Sequence, residues 1–302
     1  MTTKVFIDGE AGTTGLQIRD RLISRSDIEL VQIDHALRKD DTARKDAFAA
    51  ADVAILCLPD DAARAAVALS ADLDVRIIDA STAHRVNPDW AFGLPELSAA
   101  MAQRIKTARY VANPGCYSTG AIALLAPLVE KGLVPADAPI TINAVSGYTG
   151  GGKALIGEYE EGTAPAHFVY ATSQKHKHLP EIVEYAGLAG LPIFVPSVGN
   201  FAQGMAVQIP LHLGSLGTGV TMGDLHAALA VHYAGGGNIS VKPIEDQDSR
   251  IDPTALNDSN NLEISVRGDA ETGRVVLIAV LDNLGKGASG AAVQNLDLMI
   301  GK

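Results

Sequence analysis

Val111-Ala112-Asn113-Pro114-Gly115-Cys116-Tyr117-Ser118-Thr119-Gly120 reads as strand, turn and helix in quick succession. Tyr110 to Ala112 ends a strand, and Asn113-Pro114-Gly115 carries the residue types of a tight turn. From Tyr117 onward the apolar residues Ile122, Leu125 and Val129 recur at helical spacing. Cys116 is therefore placed in a strand-to-helix turn, at or just before a helix N-terminus. The first amides of a helix have no intrahelical partner, and its dipole favours negative charge there. A thiol in that place has its thiolate stabilised and is a better nucleophile at neutral pH. Gly115 and Gly120 are read as leaving room for a substrate to approach the backbone. The competing reading is a cysteine that merely fills core space. A core cysteine, however, needs neither Pro-Gly before it nor Ser-Thr-Gly after it.

Upstream of this stretch the chain alternates strand and helix. Lys4-Val5-Phe6-Ile7-Asp8 is a short apolar strand, followed by Gly9-Glu10-Ala11-Gly12-Thr13-Thr14-Gly15 and a helix through Leu22. Strand, glycine loop and helix form the context that a dinucleotide-binding turn requires, here spaced G-x-x-G-x-x-G. The pyrophosphate would rest on the helix N-terminus near Thr13, Thr14 and Gly15. Leu30 to Asp34 is read as the second strand, with Asp34 placed to hold a ribose hydroxyl and Arg38 and Lys39 placed to hold a 2′-phosphate. The residues alone leave both NAD and NADP open. Asp52 to Leu58 is a continuous apolar run, as expected for a strand covered on both faces, and Cys57 within it is read as inert core. Arg76 to Asp79 is another strand, and Ser81 and Thr82 follow at its C-terminal end, where α/β sheets place ligands. Glu96, in the turn Gly93 to Leu97, is read as a helix cap or a cleft residue. This alternation predicts a parallel, doubly wound sheet.

The chain has 302 residues, 47% hydrophobic and 20% charged, with a formal net charge of −11. That length accommodates one large or two ordinary domains. The negative charge argues against nucleic acid or an anionic membrane as the main partner. Two cysteines do not make a disulfide framework, so a reducing cytoplasm is the expected location. A first strand beginning by Lys4 leaves no room for a signal peptide, and no apolar run is long enough to span a bilayer.

Beyond Cys116 the pattern changes. Pro139 to Ser146 alternates as a strand does and leads into Gly147-Tyr148-Thr149-Gly150-Gly151-Gly152-Lys153. The spacing imitates a P-loop, but Ala154 stands where a magnesium-binding hydroxyl would be needed, which discounts an NTPase. What remains is a candidate anion-binding nest with one lysine. His176-Lys177-His178-Leu179-Pro180-Glu181 is the clustered histidine site. Two histidines make an incomplete zinc set, so no metal is expected, and general acid–base chemistry suits them at neutral pH. Leu191–196, 205–213, 239–241, 262–268 and 274–281 read as strands, with one helix around Thr221 to Tyr233. The last helix, with Ala291, Val293, Leu296 and Met299, is too short to stand alone and is expected to pack back on the first domain. Together these features suggest a cysteine that takes an acyl group as a thioester, reduced by hydride from a nicotinamide.

Asn113 to Gly120, Gly9 to Gly15, Asp79 to Thr82, Gly147 to Lys153, His176 to Glu181 and Asp282 to Ala288 together resemble the shorter (type 2) branch of the N-acetyl-γ-glutamyl-phosphate reductases, along essentially the whole chain. The resemblance implies an α/β fold: a Rossmann-like doubly wound parallel sheet plus a second α+β domain with a largely antiparallel or mixed sheet. It places an NADP-binding domain at 1–115, completed by a C-terminal helix over 286–302, and a catalytic and oligomerisation domain at 116–285. It implies NADPH-dependent reduction of N-acetyl-L-glutamyl 5-phosphate to N-acetyl-L-glutamate 5-semialdehyde and phosphate, in arginine biosynthesis, by a homodimer or homotetramer. The nucleophile is then Cys116 and the acid–base His178. The cofactor NADP(H) falls to Gly9, Gly12, Thr13, Thr14, Gly15, Arg38, Ser81, Asn283 and Lys286. The substrate falls to Asn113, Gly150, Lys153, His176 and Glu181. Ser118, Leu124 and Gln203 depart from the residues usual in the longer branch, the last standing where an arginine is expected. Two other readings share some of these features. An aspartate-semialdehyde dehydrogenase-like reductase of another acyl phosphate would carry a different cysteine motif and histidine segment. A non-catalytic NADP-binding sensor would need no reactive thiol.

Overall fold

The computed structural model describes residues 2–302, and the chain divides into two compact units. The first comprises Met1–Pro114 and Ala288–Lys302, the second Gly115–Gly287. In the first unit, β1 (Thr3–Asp8), α1 (Thr13–Leu22), β2 (Ile28–Val31), α2 (Asp41–Ala50), β3 (Val53–Leu56), α3 (Asp60–Leu69), β4 (Arg76–Asp79), β5 (Ala91–Phe92), α4 (Ala99–Thr107) and β6 (Tyr110–Ala112) follow in order. The strands form one sheet in the order β2-β1-β3-β4-β6-β5, every pairing parallel. β3 is buried at every position because both sheet faces are covered. On one face Ile18 and Leu22 of α1, Ile105 of α4 and Ala292, Leu296 and Met299 of the C-terminal helix Gly290–Met299 pack together. On the other, Phe48 of α2 and Ala63 and Ala66 of α3 pack against Phe6, Ala54, Leu56 and Ile77. The strand order reverses direction between β1 and β3, and the glycine loop follows β1 at that crevice.

Two expectations shift in this unit. β2 stops at Val31, and Asp34 lies beyond it, where its carboxylate accepts from the Ala36 amide and opens a short 3-10 turn. Ser98, not Glu96, caps α4, accepting from the Met101 amide, while Glu96 accepts from Gln294.

The second unit contains α5 (Cys116–Glu130), β7 (Thr141–Gly147), α6 (Gly152–Glu160), β8 (His167–Val169), α7 (Leu179–Ala186), β9 (Ile193–Gly199), β10 (Met205–His212), α8 (Met222–Tyr233), β11 (Ile239–Val241), β12 (Leu262–Asp269) and β13 (Arg274–Leu281). Its sheet runs β11-β12-β13-β10-β7-β9-β8 and is mixed: β11/β12 and β7/β9 are parallel, the other pairs antiparallel. Neither α6 nor α7 is expected from the sequence. α6 begins at a glycine run with poor helix propensity. α7 is only 8 residues long, and its start signals, Pro180 and Glu181 in the first turn, fall inside the histidine segment.

α5 is apolar nearly all round, as a central helix must be. Gly120 lets it sit down on the sheet: a Cβ there would lie 2.8 Å from Val207 Cγ2. That glycine is required by helix–sheet packing rather than by a substrate. Pro127 lies inside α5 and has no N–H to give the Ala123 carbonyl one turn earlier. The Tyr233 hydroxyl of α8 donates to that carbonyl instead, at 2.8 Å. Tyr233→Phe is therefore expected to lower the urea unfolding free energy by about 1 kcal/mol, followed by circular dichroism. The loss should shrink in a Pro127→Ala background, where the helix supplies the donor itself; equal losses in both backgrounds would refute this account.

Candidate active site

Cys116 is the first residue of α5, half-buried, with Gly115 as the N-cap. Glycine supplies no capping side chain, and the first turn holds no acidic residue. The positive end of the helix therefore faces the sulfur, which favours the thiolate. The peptide ahead of the cysteine is held from both sides. The Gly115 amide donates to Glu181 Oε2 at 3.2 Å, and the Gly115 carbonyl accepts from the Ser118 and Thr119 hydroxyls at 3.0 and 2.9 Å. Ser118 and Thr119 are fully buried, so this carbonyl also satisfies hydroxyls that would otherwise be costly. Glu181 is itself only 1% exposed and sits in the first turn of α7, whose own N-terminus favours a carboxylate.

The two histidines of the sequence cluster converge on Tyr117, the residue after the cysteine. The ring centroids of His176 and His178 lie 5.9 and 6.0 Å from that of Tyr117, and 4.7 Å from each other. His176 also packs edge-on against Phe194 at 5.0 Å. Its Nδ1 accepts from the His178 amide at 3.1 Å, so its hydrogen sits on Nε2, which faces the Tyr170 hydroxyl at 3.4 Å. His178 is the N-cap of α7 and buried. Burial lifts the Tyr117 hydroxyl above the ordinary tyrosine range, with Tyr170 and the Cys116 charge adding to it. Burial likewise pushes the Tyr170 hydroxyl up to about 12; a bond from Tyr117 pulls it down and the Cys116 charge pushes it up. Both phenols therefore stay protonated at neutral pH.

The segment after β13 closes the other side of the cysteine. A Cβ at Gly287 would lie 2.8 Å from Cys116 Cβ, so only glycine fits. Asp282, fully buried, accepts from the Leu284 amide, from Gln203 Nε2 at 3.0 Å and from the Asp258 amide at 2.9 Å. Gln203, in the place where the longer branch leads one to expect an arginine, thus serves as a neutral partner to this carboxylate. Asn283 accepts from the Gly204 amide and donates to Thr149 Oγ1. Lys286 is fully buried.

In the loop Gly147 to Lys153, the amides of Gly147, Tyr148 and Thr149 donate to the carbonyls of Gly204, Phe201 and Ala202. They are spent inside the protein, which narrows any anion nest to the first turn of α6, where Gly151 offers no capping side chain and Lys153 is exposed. A Cβ at Gly150 would lie 3.3 Å from Ser146 Oγ and 3.4 Å from Asn283 Nδ2.

In the first unit the glycine loop separates two kinds of glycine. A Cβ at Gly9 (φ +89°) would lie 2.4 Å from the Cys57 carbonyl, and one at Gly15 2.6 Å from the Gly9 carbonyl. Both are required by the protein's own backbone. A Cβ at Gly12 would meet nothing closer than 3.4 Å. Gly12 caps α1 without a side chain, and no acid lies in the first turn at Thr13 to Gly15, so its amides suit a phosphate. Arg38 is exposed and donates to the His35 carbonyl. The Ser81 hydroxyl donates to Asp79 and accepts from the Ala83 amide. Asn113 uses both ends of its amide within the unit, donating to the Ala288 carbonyl and accepting from Asn295.

The family description "Semialdehyde dehydrogenase, NAD binding domain" matches residues 12–106, and "Semialdehyde dehydrogenase, dimerisation domain" matches 116–283. A curated relative from Rhizobium leguminosarum bv. trifolii, named N-acetyl-gamma-glutamyl-phosphate reductase, is 53% identical over 309 residues, covering 99% of each chain. One of the same name from Brucella ovis is 52% identical over 310 residues, covering 100% of both. The chain belongs to the N-acetyl-gamma-glutamyl-phosphate reductase family. Among solved structures, aspartate semialdehyde dehydrogenase II from Vibrio cholerae superposes with a TM-score of 0.75 at 15% identity, covering 99% of each chain. At that identity the likeness concerns the fold, and it agrees with a parallel-sheet unit joined to a mixed-sheet unit. Cys116 opens the second family match, as it opens the second unit's first helix. Among the described residues no helix is long and apolar enough to cross a membrane.

Sequence reasoning missed Tyr170, Phe194 and Gln174, which pack around or fasten the histidines, because nothing local in the chain links them to Cys116. It also missed His84, whose Nδ1 lies 2.6 Å from Asp79 Oδ2 and whose ring stacks on Trp90 at 4.1 Å. Cys57, by contrast, has its thiol pushed up to about 12 by burial and by the Asp79 and Asp8 carboxylates. At about pH 8 it is almost wholly protonated. Iodoacetamide is therefore expected to label Cys116 alone, read by mass spectrometry. The adduct should vanish in Cys116→Ser and persist in Cys57→Ser; equal labelling of the two thiols would refute the assignment.

Proposed function

We propose that this chain catalyses the NADPH-dependent reduction of N-acetyl-L-glutamyl 5-phosphate to N-acetyl-L-glutamate 5-semialdehyde and phosphate, acting in the cytoplasm as a homodimer or homotetramer in arginine biosynthesis. The observation that carries the reading is Cys116 at the uncapped start of α5, followed directly by Tyr117, whose ring packs with two imidazoles. The full-length kinship to reductases of that name supports the substrate.

His178 takes the thiol proton, and the Cys116 thiolate attacks the acyl carbon. The C–O bond to phosphate breaks, and the acyl group is held as a thioester. When bound, NADPH supplies hydride to that carbon. His178 gives its proton to the carbonyl oxygen, takes it back as the C–S bond breaks, and the aldehyde leaves with the thiolate restored. The net reaction consumes one proton, carried off on the phosphate. We assign proton transfer to His178, the histidine that the resemblance to the reductases points to, and a supporting place to His176, whose Nδ1 accepts from the His178 amide. Gly9, Gly12, Thr13, Thr14 and Gly15 would hold the cofactor pyrophosphate, with Arg38, Ser81, Asn283 and Lys286 along the rest of it. Gly12 fits this, since a Cβ there would make only an ordinary contact, 3.4 Å from the Gly9 carbonyl oxygen, and the fold itself does not demand a glycine. Lys153 and the first turn of α6 would take the substrate phosphate, with Gly150, Asn113, His176 and Glu181 shaping the substrate site. Glu181 does so by fixing Gly115.

The test is NADP⁺ reduction by N-acetylglutamate semialdehyde plus phosphate, beside aspartate semialdehyde plus phosphate. Turnover is expected with the acetylated substrate alone, and none in Cys116→Ser. An active Cys116→Ser enzyme would sink the mechanism, and turnover with aspartate semialdehyde alone would move the substrate. His178→Asn should lower kcat more than His176→Asn; the reverse order would exchange their roles. Gly12→Val should weaken NADP binding by at least about tenfold, ~1.4 kcal/mol, with Cys116 alkylation unchanged. Unaltered affinity would reject the pyrophosphate site.

A further inference from the structure

The segment from Tyr170 to His178 joins β8 to α7 and carries Tyr170, His176 and His178. Its backbone is unusual. Among the described residues three non-glycine residues have positive φ, and two of them, Ala171 (φ +50°) and Gln174 (φ +59°), lie here. Left-handed backbone is disfavoured for residues with a Cβ, so something must hold it. A turn bond from the Gln174 amide to the Ala171 carbonyl, at 2.9 Å, links the two positions but does not anchor them to the sheet.

The anchor is the Gln174 side chain. Its Nε2 donates to the Phe194 carbonyl at 3.0 Å, and its Oε1 accepts from the Phe194 amide at 2.9 Å. β8 pairs with β9 through Val169 and Ser197, and the Tyr170 amide reaches the Pro196 carbonyl, but β8 itself ends at Val169. Two residues further along β9, on the same edge, the carboxamide does what a strand residue would do. It offers one donor and one acceptor in ladder geometry. Phe194 is also the residue whose ring packs against both His176, at 5.0 Å, and Tyr117, at 5.4 Å. A single residue of β9 therefore receives the segment's fastening through its backbone and the imidazole through its side chain.

We propose that Gln174 is a positioning residue for the imidazole pair: its side chain continues the β8–β9 ladder by one rung, holds the left-handed segment closed and sets His176, and through it His178, beside the cysteine turn. This rests on the assignment of proton transfer to these histidines, and the test separates the two.

Gln174→Gly removes the carboxamide while allowing positive φ freely. Gln174→Glu keeps the shape, but its carboxylate cannot donate to the Phe194 carbonyl; its protonated acid can. In the NADP⁺-reduction assay Gln174→Gly should lower kcat by about tenfold to a hundredfold, the scale of a displaced catalytic group. The KM for NADP⁺ should stay within about twofold. The activity of Gln174→Glu relative to the unsubstituted enzyme should rise as the pH falls. Independently of turnover, ¹⁵N spectra of the imidazoles, with His176 assigned through His176→Asn, should show an Nε2–H tautomer that becomes mixed in Gln174→Gly. Wild-type kcat and an unchanged His176 signal in both variants would overturn the proposal. Absence of turnover in the unsubstituted enzyme would reject the functional reading instead, and the imidazole spectra would still decide the role of Gln174.

Discussion

The second unit depends on how one peptide is held. Gly115 gives its amide to the buried Glu181 carboxylate and receives the hydroxyls of Ser118 and Thr119 on its carbonyl. A helix start capped by its own side chain would have spent its dipole on that cap. Here the cap residue has no side chain, and the carboxylate that steadies it comes from another helix. The first turn is thus both rigid and available to the sulfur. The rest of α5 serves this geometry. Gly120 sets the depth of the helix on β10, and the Tyr233 hydroxyl replaces the hydrogen bond that Pro127 cannot make.

Glycines in this chain have separable causes. Gly9, Gly15, Gly120 and Gly287 are small because protein atoms occupy the place of a side chain. Gly12 has no such neighbour, and this difference within one loop is what makes a ligand its best explanation. The loop Gly147 to Lys153 shows the opposite outcome. Its sequence resembles an anion nest, yet its leading amides are consumed by Gly204, Phe201 and Ala202. Glycine-rich composition permits an anion site but does not keep its donors unspent.

Much was legible because it is local. Strand, glycine turn and helix at the N-terminus, the apolar run of β3, and the turn before Cys116 all follow from residue type and short-range spacing. β11 and β13 match the expected strands residue for residue, and β6 ends at Ala112 as expected. α6 was not legible, since its glycine start has weak propensity and packing makes it helical, and α7 escaped because it is short and begins inside the histidine segment. Asp34 left its strand because its side chain found a backbone amide two residues on, a local competition that strand periodicity does not register.

What the sequence by itself determined is the chemistry present: a thiol at a helix start, a histidine pair, a glycine loop, and the alternation that builds a parallel sheet. Only the tertiary structure decided which of those groups meet. Phe194 reaches the histidines from β9, Gln174 fastens their segment to that strand, and Gln203 and Asp258 converge on Asp282. The physical reason is range. Propensity, turn chemistry and helix dipoles act within a few residues, whereas burial and hydrogen-bond satisfaction act between whichever groups the packed sheet brings within about 3 Å.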